Sequence, residues 1–269
     1  MKISIIDNIK ALPPLSSTIV KINHIFANEN STLKEMASAI EHDPMIIANI
    51  LKIANSPLYG FGSDIKNASQ AVTLFGMSMT RSIAIGNSIR KLLNIDMQPY
   101  NVTSDEFAHI SSLQAALILN WYKKIDKQKA EKLYLAAFLQ DTGKIIIASE
   151  IIQNDEVTSF SSEVENSNNL AMVEKAYVDA SCGEVTALVF KHWGFERDFI
   201  EMIKYSDTPS LAPDEIKEFT IALNIVKTII PINRPFSEMA INFGLKKALD
   251  AGYKVELLQE SINNMTEVL

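Results

Sequence analysis

A chain of 269 residues has room for one large domain or two small ones, and 47 % hydrophobic against 21 % charged residues excludes a disordered chain. The formal net charge of −7 argues against a general affinity for nucleic acid, which needs clustered Lys and Arg to neutralise phosphates. The one cysteine, Cys182, excludes an intramolecular disulfide and a Cys-based zinc ribbon. Residues 1–9 hold an apolar run too short for a secretory leader. The longest apolar stretches fall short of the roughly 20 residues a membrane helix requires, so a soluble, cytoplasmic, fully folded protein is expected.

Glycine is scarce, and apolar residues recur at three- and four-residue spacing, which predicts an all-α fold. Leu12-Pro13-Pro14-Leu15 interrupts the pattern, and Ser16 or Ser17 can cap a helix bearing Ile19, Ile22 and Phe26. Thr32 with Glu35 forms a capping-box pattern ahead of Leu33, Met36, Ala37 and Ile40. At Asp43-Pro44 the aspartate can cap and the proline can take the first helical turn. Residues 55–60 read as a turn, and residues 68–93 as two helices around Gly76. That last pair resembles a helix-turn-helix, but Arg81, Arg90 and Lys91 are thin for a DNA-reading face.

Residues 94–102, with Pro99, read as a connection between two lobes. Thr103 and Glu106 open the next helix with a second capping box, and Phe107, Ile110, Leu113, Leu117 and Trp121 form its buried stripe with His109 at the edge. Asp141 shares a face with Leu133, Ala137 and Phe138, so it points coreward and needs a partner, with Gly143 expected to end its helix. Residues 184–193, 199–205 and 239–251 read as further helices. Three segments follow: an amino-terminal helical lobe over residues 1–98, a second lobe over 99–210 and a helical extension over 211–269 that packs on the second lobe.

Four stretches carry a resemblance: Leu12-Pro13-Pro14-Leu15, His42-Asp43-Pro44, Leu51-Lys52-Ile53-Ala54-Asn55-Ser56-Pro57-Leu58-Tyr59-Gly60 and Ala71-Val72-Thr73-Leu74-Phe75-Gly76. In order and spacing they resemble the signature of HDOD domains, helical modules of bacterial signalling proteins. The second half of such domains is similar to metal-dependent HD phosphohydrolases, in which histidines and aspartates hold divalent metals that activate water against a phosphoester. The resemblance places His109 at the first HD histidine and Gln140-Asp141-Thr142-Gly143-Lys144 at the His-Asp pair, with Gln140 replacing the histidine. Cys182 and Ser206-Asp207 stand where relatives carry further histidines, and Asn224 where a closing aspartate would fall.

His109 and Asp141 alone are too few for such a site. The expectation is a buried hydrogen bond or ion pair between them, no bound metal, no cofactor and no catalytic residue. A mixed metal site of His109, Asp141, Cys182 and Asp207 is the sharper alternative. Asn55 and Tyr59 are the candidate groove for a partner or ligand. His24, His42 and His192 are read as ordinary helix or turn residues. The resemblance implies a non-catalytic bacterial signal-transduction adaptor, acting on a signalling protein partner or a small-molecule or nucleotide ligand, in motility or cyclic-dinucleotide signalling. A divergent phosphohydrolase and a DNA-binding regulator are the alternatives. Nucleic acid and membrane are not expected as partners, and the oligomeric state is unknown.

Overall fold

Side-chain caps set many of the helix starts. Ser16 accepts from the Ile19 N–H, Asp43 from Met45 and Ile46, and Asn67 from Gln70. Thr32/Glu35, Thr103/Glu106 and Ser181/Glu184 each form a complete capping box. Each such cap stabilises its helix by about 1 kcal/mol, and together they fix where the chain turns. The computed structural model describes residues 1–59, 65–93 and 96–269, leaving aside the side chains of residues 90–92. Gly60, Asn94 and Ile95 of the motifs above, and the Arg90 and Lys91 side chains, therefore lie outside the described residues. Among the described residues there is no strand.

The amino-terminal lobe consists of α2 (Ser17–Ala27), α3 (Leu33–Glu41), α4 (Pro44–Ala54) and α5 (Ala68–Leu92), which follow α1 (Ile3–Lys10). α5 is broken at Gly76, whose φ of 73° is a left-handed value that glycine adopts without a side-chain clash. After the break, residues 79–86 are buried throughout. Arg81 turns inward to Asn23 (2.7 Å) and Glu196 (3.0 Å) beneath the Phe26 ring. After Gly76 the described part of this segment is a core helix, whereas Ser69, Gln70 and Thr73 before it are exposed.

The second lobe is built from α6 (Ser104–Tyr122), α7 (Lys127–Leu139), α8 (Gly143–Gln153), α9 (Val157–Asn166), α10 (Leu170–Val178), α11 (Cys182–His192) and α12 (Arg197–Lys204). α5 packs on α7, joining the lobes. α1 packs on α8 and α11 instead of its neighbours in sequence. There Ile5 and Ile9 are buried, Ser4 Oγ donates to Glu150 (2.6 Å) and the Lys2 N–H donates to the Val178 carbonyl (3.1 Å).

α13 (Asp214–Ile229), α14 (Glu238–Asp250) and α15 (Val255–Thr266) complete the chain. α13 lies on α6, α7 and α12, α14 covers α13, and α15 returns to α6. The loop between α13 and α14 is tied to the end of α9 by Asn233, which donates to the Val164 carbonyl (2.9 Å), and by Arg234, which donates to the Glu165 carbonyl. The buried apolar side chains of all these helices form one continuous core.

Candidate functional site

Asp141 sits in the turn between α7 and α8 and is 3 % exposed. The sequence suggests that Gly143 ends α7; it begins α8 instead. Its lack of a side chain serves a close approach to α11, because a Cβ there would lie 2.6 Å from the Cys182 carbonyl and 2.8 Å from the Thr186 nitrogen. The Gly143 N–H donates to Thr186 Oγ1 (2.8 Å), which locks the turn against α11.

Around Asp141 the buried charges alternate in sign. Lys144 bonds Glu174 and lies 3.5 Å from Asp141 Oδ1. Lys227, from α13, lies 3.3 Å from the same oxygen and 2.7 Å from Asp207 Oδ1. The second oxygen of Asp141 accepts from Gln114 Nε2 (2.8 Å), and Gln140 Nε2 donates to Gln114 Oε1 (2.8 Å). Asp207 Oδ2 accepts the Gly183 N–H (2.8 Å), while Glu174 accepts from the Cys182 N–H (2.8 Å) and the Tyr100 hydroxyl (3.1 Å). Three carboxylates and two ammoniums thus satisfy one another with little exposure to water, which is the condition for tolerating buried charge.

These neighbours set the protonation states. Burial alone pushes the Asp141 carboxyl up, but the Lys227 and Lys144 ammoniums and the Gln114 amide override it and hold it at about 2. Asp207 is likewise held low against its burial by Lys227 and Lys144. Burial pulls both lysines down, yet the surrounding carboxylates raise Lys144 and Lys227 above the ordinary lysine range. Burial drives the Cys182 thiol up to about 12 in spite of the two lysines. Its Sγ, 3.5 Å from the Gln140 carbonyl and 3.6 Å from Asp141 Oδ1, is therefore a protonated thiol at neutral pH.

A cavity of about 700 Å³ opens above this network. Asp141, Lys144, Glu174, Asp207 and Lys227 form its floor, α13 and α14 one wall, and residues 167–171 at the start of α10 the other.

The HDOD domain model matches residues 12–209. The chain belongs to the HDOD family. Among solved structures, a virulence factor from Campylobacter jejuni subsp. jejuni is 27 % identical, with a TM-score of 0.58 over 98 % of this chain and 95 % of that one. An HDOD domain protein with unknown function from Geobacter sulfurreducens shares the fold at 13 % identity, TM-score 0.71, over 98 % of this chain and 93 % of that one. A Shewanella amazonensis SB2B protein provisionally called a phosphohydrolase does so at 19 % identity, TM-score 0.72, over 99 % and 98 %. An uncharacterized protein of Treponema pallidum (strain Nichols) is 20 % identical over 220 residues; they make up 80 % of this chain, which spans about 41 % of that protein's length.

Within the HDOD chain, the residues expected at the site divide. Gln140, Asp141, Cys182 and Asp207 converge as described, and Asn224 lines the cavity, bonding the Ser206 carbonyl (2.6 Å). Ser206 is buried alongside. His109 does not join them: it is exposed on α6, and Gln114 from the same helix reaches Asp141 instead. Five residues separate the two, about 140° of helical rotation at 3.6 residues per turn, so both cannot face the same carboxylate. The expected His109–Asp141 pair is replaced by Gln114–Asp141.

Asn55 and Tyr59 bond within the protein. Asn55 donates to the Ile65 carbonyl and accepts the Ile65 N–H, both at 2.9 Å, and the buried Tyr59 hydroxyl meets Tyr134 at 3.0 Å. Their side chains clasp the signature turn and join the lobes.

The donor set does not fit the metal that hydrolytic relatives use. Two amides stand at Gln114 and Gln140, the thiol of Cys182 keeps its proton, and the carboxylates are already taken by Lys144 and Lys227. Among the described residues no three His, Cys, Asp or Glu side chains are grouped to hold a metal ion.

The residues that the sequence reading missed are Gln114, Glu174 and Lys227. Gln114 falls one residue past Leu113 in the buried stripe of α6, and Lys227 interrupts the run Ile225, Val226 and Ile229 of α13. A lone polar residue in such a run signals a buried partner, but no local pattern says which one.

Proposed function

We propose that this HDOD chain is a non-catalytic signal-transduction regulator that works by binding. The observation that carries this reading is the placement of the Lys144 and Lys227 ammoniums among Asp141, Glu174 and Asp207. In an HD-type hydrolase the carboxylates are free to hold a divalent cation, whose task is to generate a nucleophilic water. Here two fixed monocations offset two of the three carboxylate charges, and an ammonium does not activate water as a divalent cation does. Such a centre ties α8, α10 and α13 to the turns that carry Asp141 and Asp207, with a shaped cavity above it.

Membership of the HDOD family and the resemblance of its signature to bacterial signalling modules support a regulatory role in a bacterial cytoplasm. The Campylobacter neighbour, named a virulence factor, is in keeping with this. A motility or cyclic-dinucleotide pathway is the setting we favour, with a signalling protein as partner.

The test is metal content and hydrolysis of a generic phosphodiester by the full chain supplied with manganese, iron or zinc. The expected result is less than a tenth of an equivalent of metal and no turnover. Stoichiometric metal with activity lost in Asp141→Ala would overturn the reading and make the chain an unusual phosphohydrolase.

A further inference from the structure

The cavity carries charge at two levels. At its floor Lys144 and Lys227 are matched by carboxylates. At its mouth Lys247 donates to Asn224 Oδ1 (2.7 Å) and Thr228 Oγ1 (2.9 Å), and Arg234 donates to the Glu165 carbonyl. Those acceptors are neutral, and among the described residues neither cation forms a salt bridge, Asp207 acting on Lys247 only from beyond contact distance. An ammonium has three N–H donors and a guanidinium five, so both keep donors for a further group.

The same mouth is apolar on one side. Met239, Phe243 and Lys247 recur every four residues along α14, share one face and all line the cavity. Phe243 and Met239 remain 50 % and 51 % exposed. Across the opening, residues 167–171 at the start of α10 line the cavity. An aromatic face and two cations outside any salt bridge on the lip of a 700 Å³ concavity are more than an inorganic ion needs. The volume lies within the roughly 300–1,000 Å³ of small-molecule sites, and its concavity suits a small molecule better than a flat protein surface.

We propose that this cavity binds an organic phosphate of mononucleotide size, its phosphate held by Lys247 and Arg234 and its planar ring lying against Phe243. The assignment rests on the non-catalytic reading above, since the ligand has to remain intact to act as a signal. It makes the extension after residue 209, outside the family-matched segment, the part of the chain that selects the ligand.

Calorimetric titration of the full chain with AMP, GMP and, separately, inorganic phosphate tests this, followed by chromatography for nucleoside. At least one nucleotide is expected to bind more tightly than inorganic phosphate. Lys247→Met and Phe243→Ala should each weaken it about tenfold or more, as loss of one charge-assisted or stacking contact does. Lys246→Met, an exposed lysine on the same helix that does not line the cavity, should change nothing. All three substitutions are at exposed positions, so folding is preserved. No heat with either nucleotide at millimolar concentration, equal affinity for inorganic phosphate, or binding indifferent to Lys247→Met and Phe243→Ala would overturn the site. Nucleoside appearing in the cell would instead overturn the non-catalytic reading, and its loss in Lys247→Met would still support the nucleotide site.

Discussion

Lys227 holds its ammonium 3.3 Å from Asp141 Oδ1, although its helix lies beyond the segment that matches the family. The ammonium also lies 2.7 Å from Asp207. One side chain from the extension therefore balances two buried carboxylates of the domain.

Removing that side chain leaves both carboxylates without their shared cation. Lys227→Met is expected to destabilise the fold by about 3–5 kcal/mol, the usual consequence of breaking a buried pair on one side. Adding Asp141→Asn to Lys227→Met should recover part of the loss, because the second change removes a stranded charge. Urea unfolding of the four proteins in the cycle checks this, and additive losses would mean that the two residues do not interact.

Asp141 also fixes how stability depends on pH. Its folded carboxyl is held at about 2, below the ordinary unfolded value of about 3.9, and Asp207 is depressed as well. A depressed carboxyl contributes stability that is complete above the unfolded value and is lost as pH falls from about 4 toward 2. For Asp141 the contribution is about 2–3 kcal/mol. The raised lysines act in the opposite sense: their contribution is intact below about 10.4 and is lost only above it. Melting temperature should therefore fall below pH 4, and Asp141→Asn should flatten that fall. An equally steep acid limb in Asp141→Asn would place its cause elsewhere.

Cys182 is fully buried, with its thiol pushed up to about 12. In the native protein at pH 8 it should not react with an aromatic disulfide reagent over minutes, and it should react with one equivalent after denaturation. Fast native labelling would show that the floor of the cavity opens to solvent.

Gly143→Ala tests the contact between α8 and α11. The added methyl would meet backbone, the Cys182 carbonyl at 2.6 Å and the Thr186 nitrogen at 2.8 Å, rather than a side chain able to swing away. A loss of about 1–3 kcal/mol is expected, the range for overpacking a filled interior. Chemical denaturation gives the value, and an unchanged midpoint would mean that the two helices can separate at no cost.

Many helix boundaries were legible in the sequence where a cap or a glycine marked them, Gly143 being the exception. Asp43-Pro44, the Thr32/Glu35 and Thr103/Glu106 boxes and the break at Gly76 all lie where the pattern puts them, because these signals are local. Asp141 was legible as an inward carboxylate for the same reason. Its partners were not. Lys227 and Glu174 reach it through tertiary packing, and helical periodicity says which residues share a face but not which face another helix will meet. His109 misled because family position counts residues, whereas a side chain's reach depends on its angle around the helix.

The docking of α1 on α8 and α11 makes the lobe of α2–α5 an insertion. Two crossings therefore join it to the rest of the chain, one on each side of α2–α5. The entering segment is gripped: Trp193 Nε1 donates to the Pro13 carbonyl (2.9 Å), and His192 Nε2 lies 3.3 Å from that of Leu12. Synthesis meets the same arrangement as a delay. α1 leaves the ribosome about 180 residues before the end of α11, and at roughly 5–20 residues per second its two buried isoleucines wait on the order of ten seconds or more for the surface that will cover them.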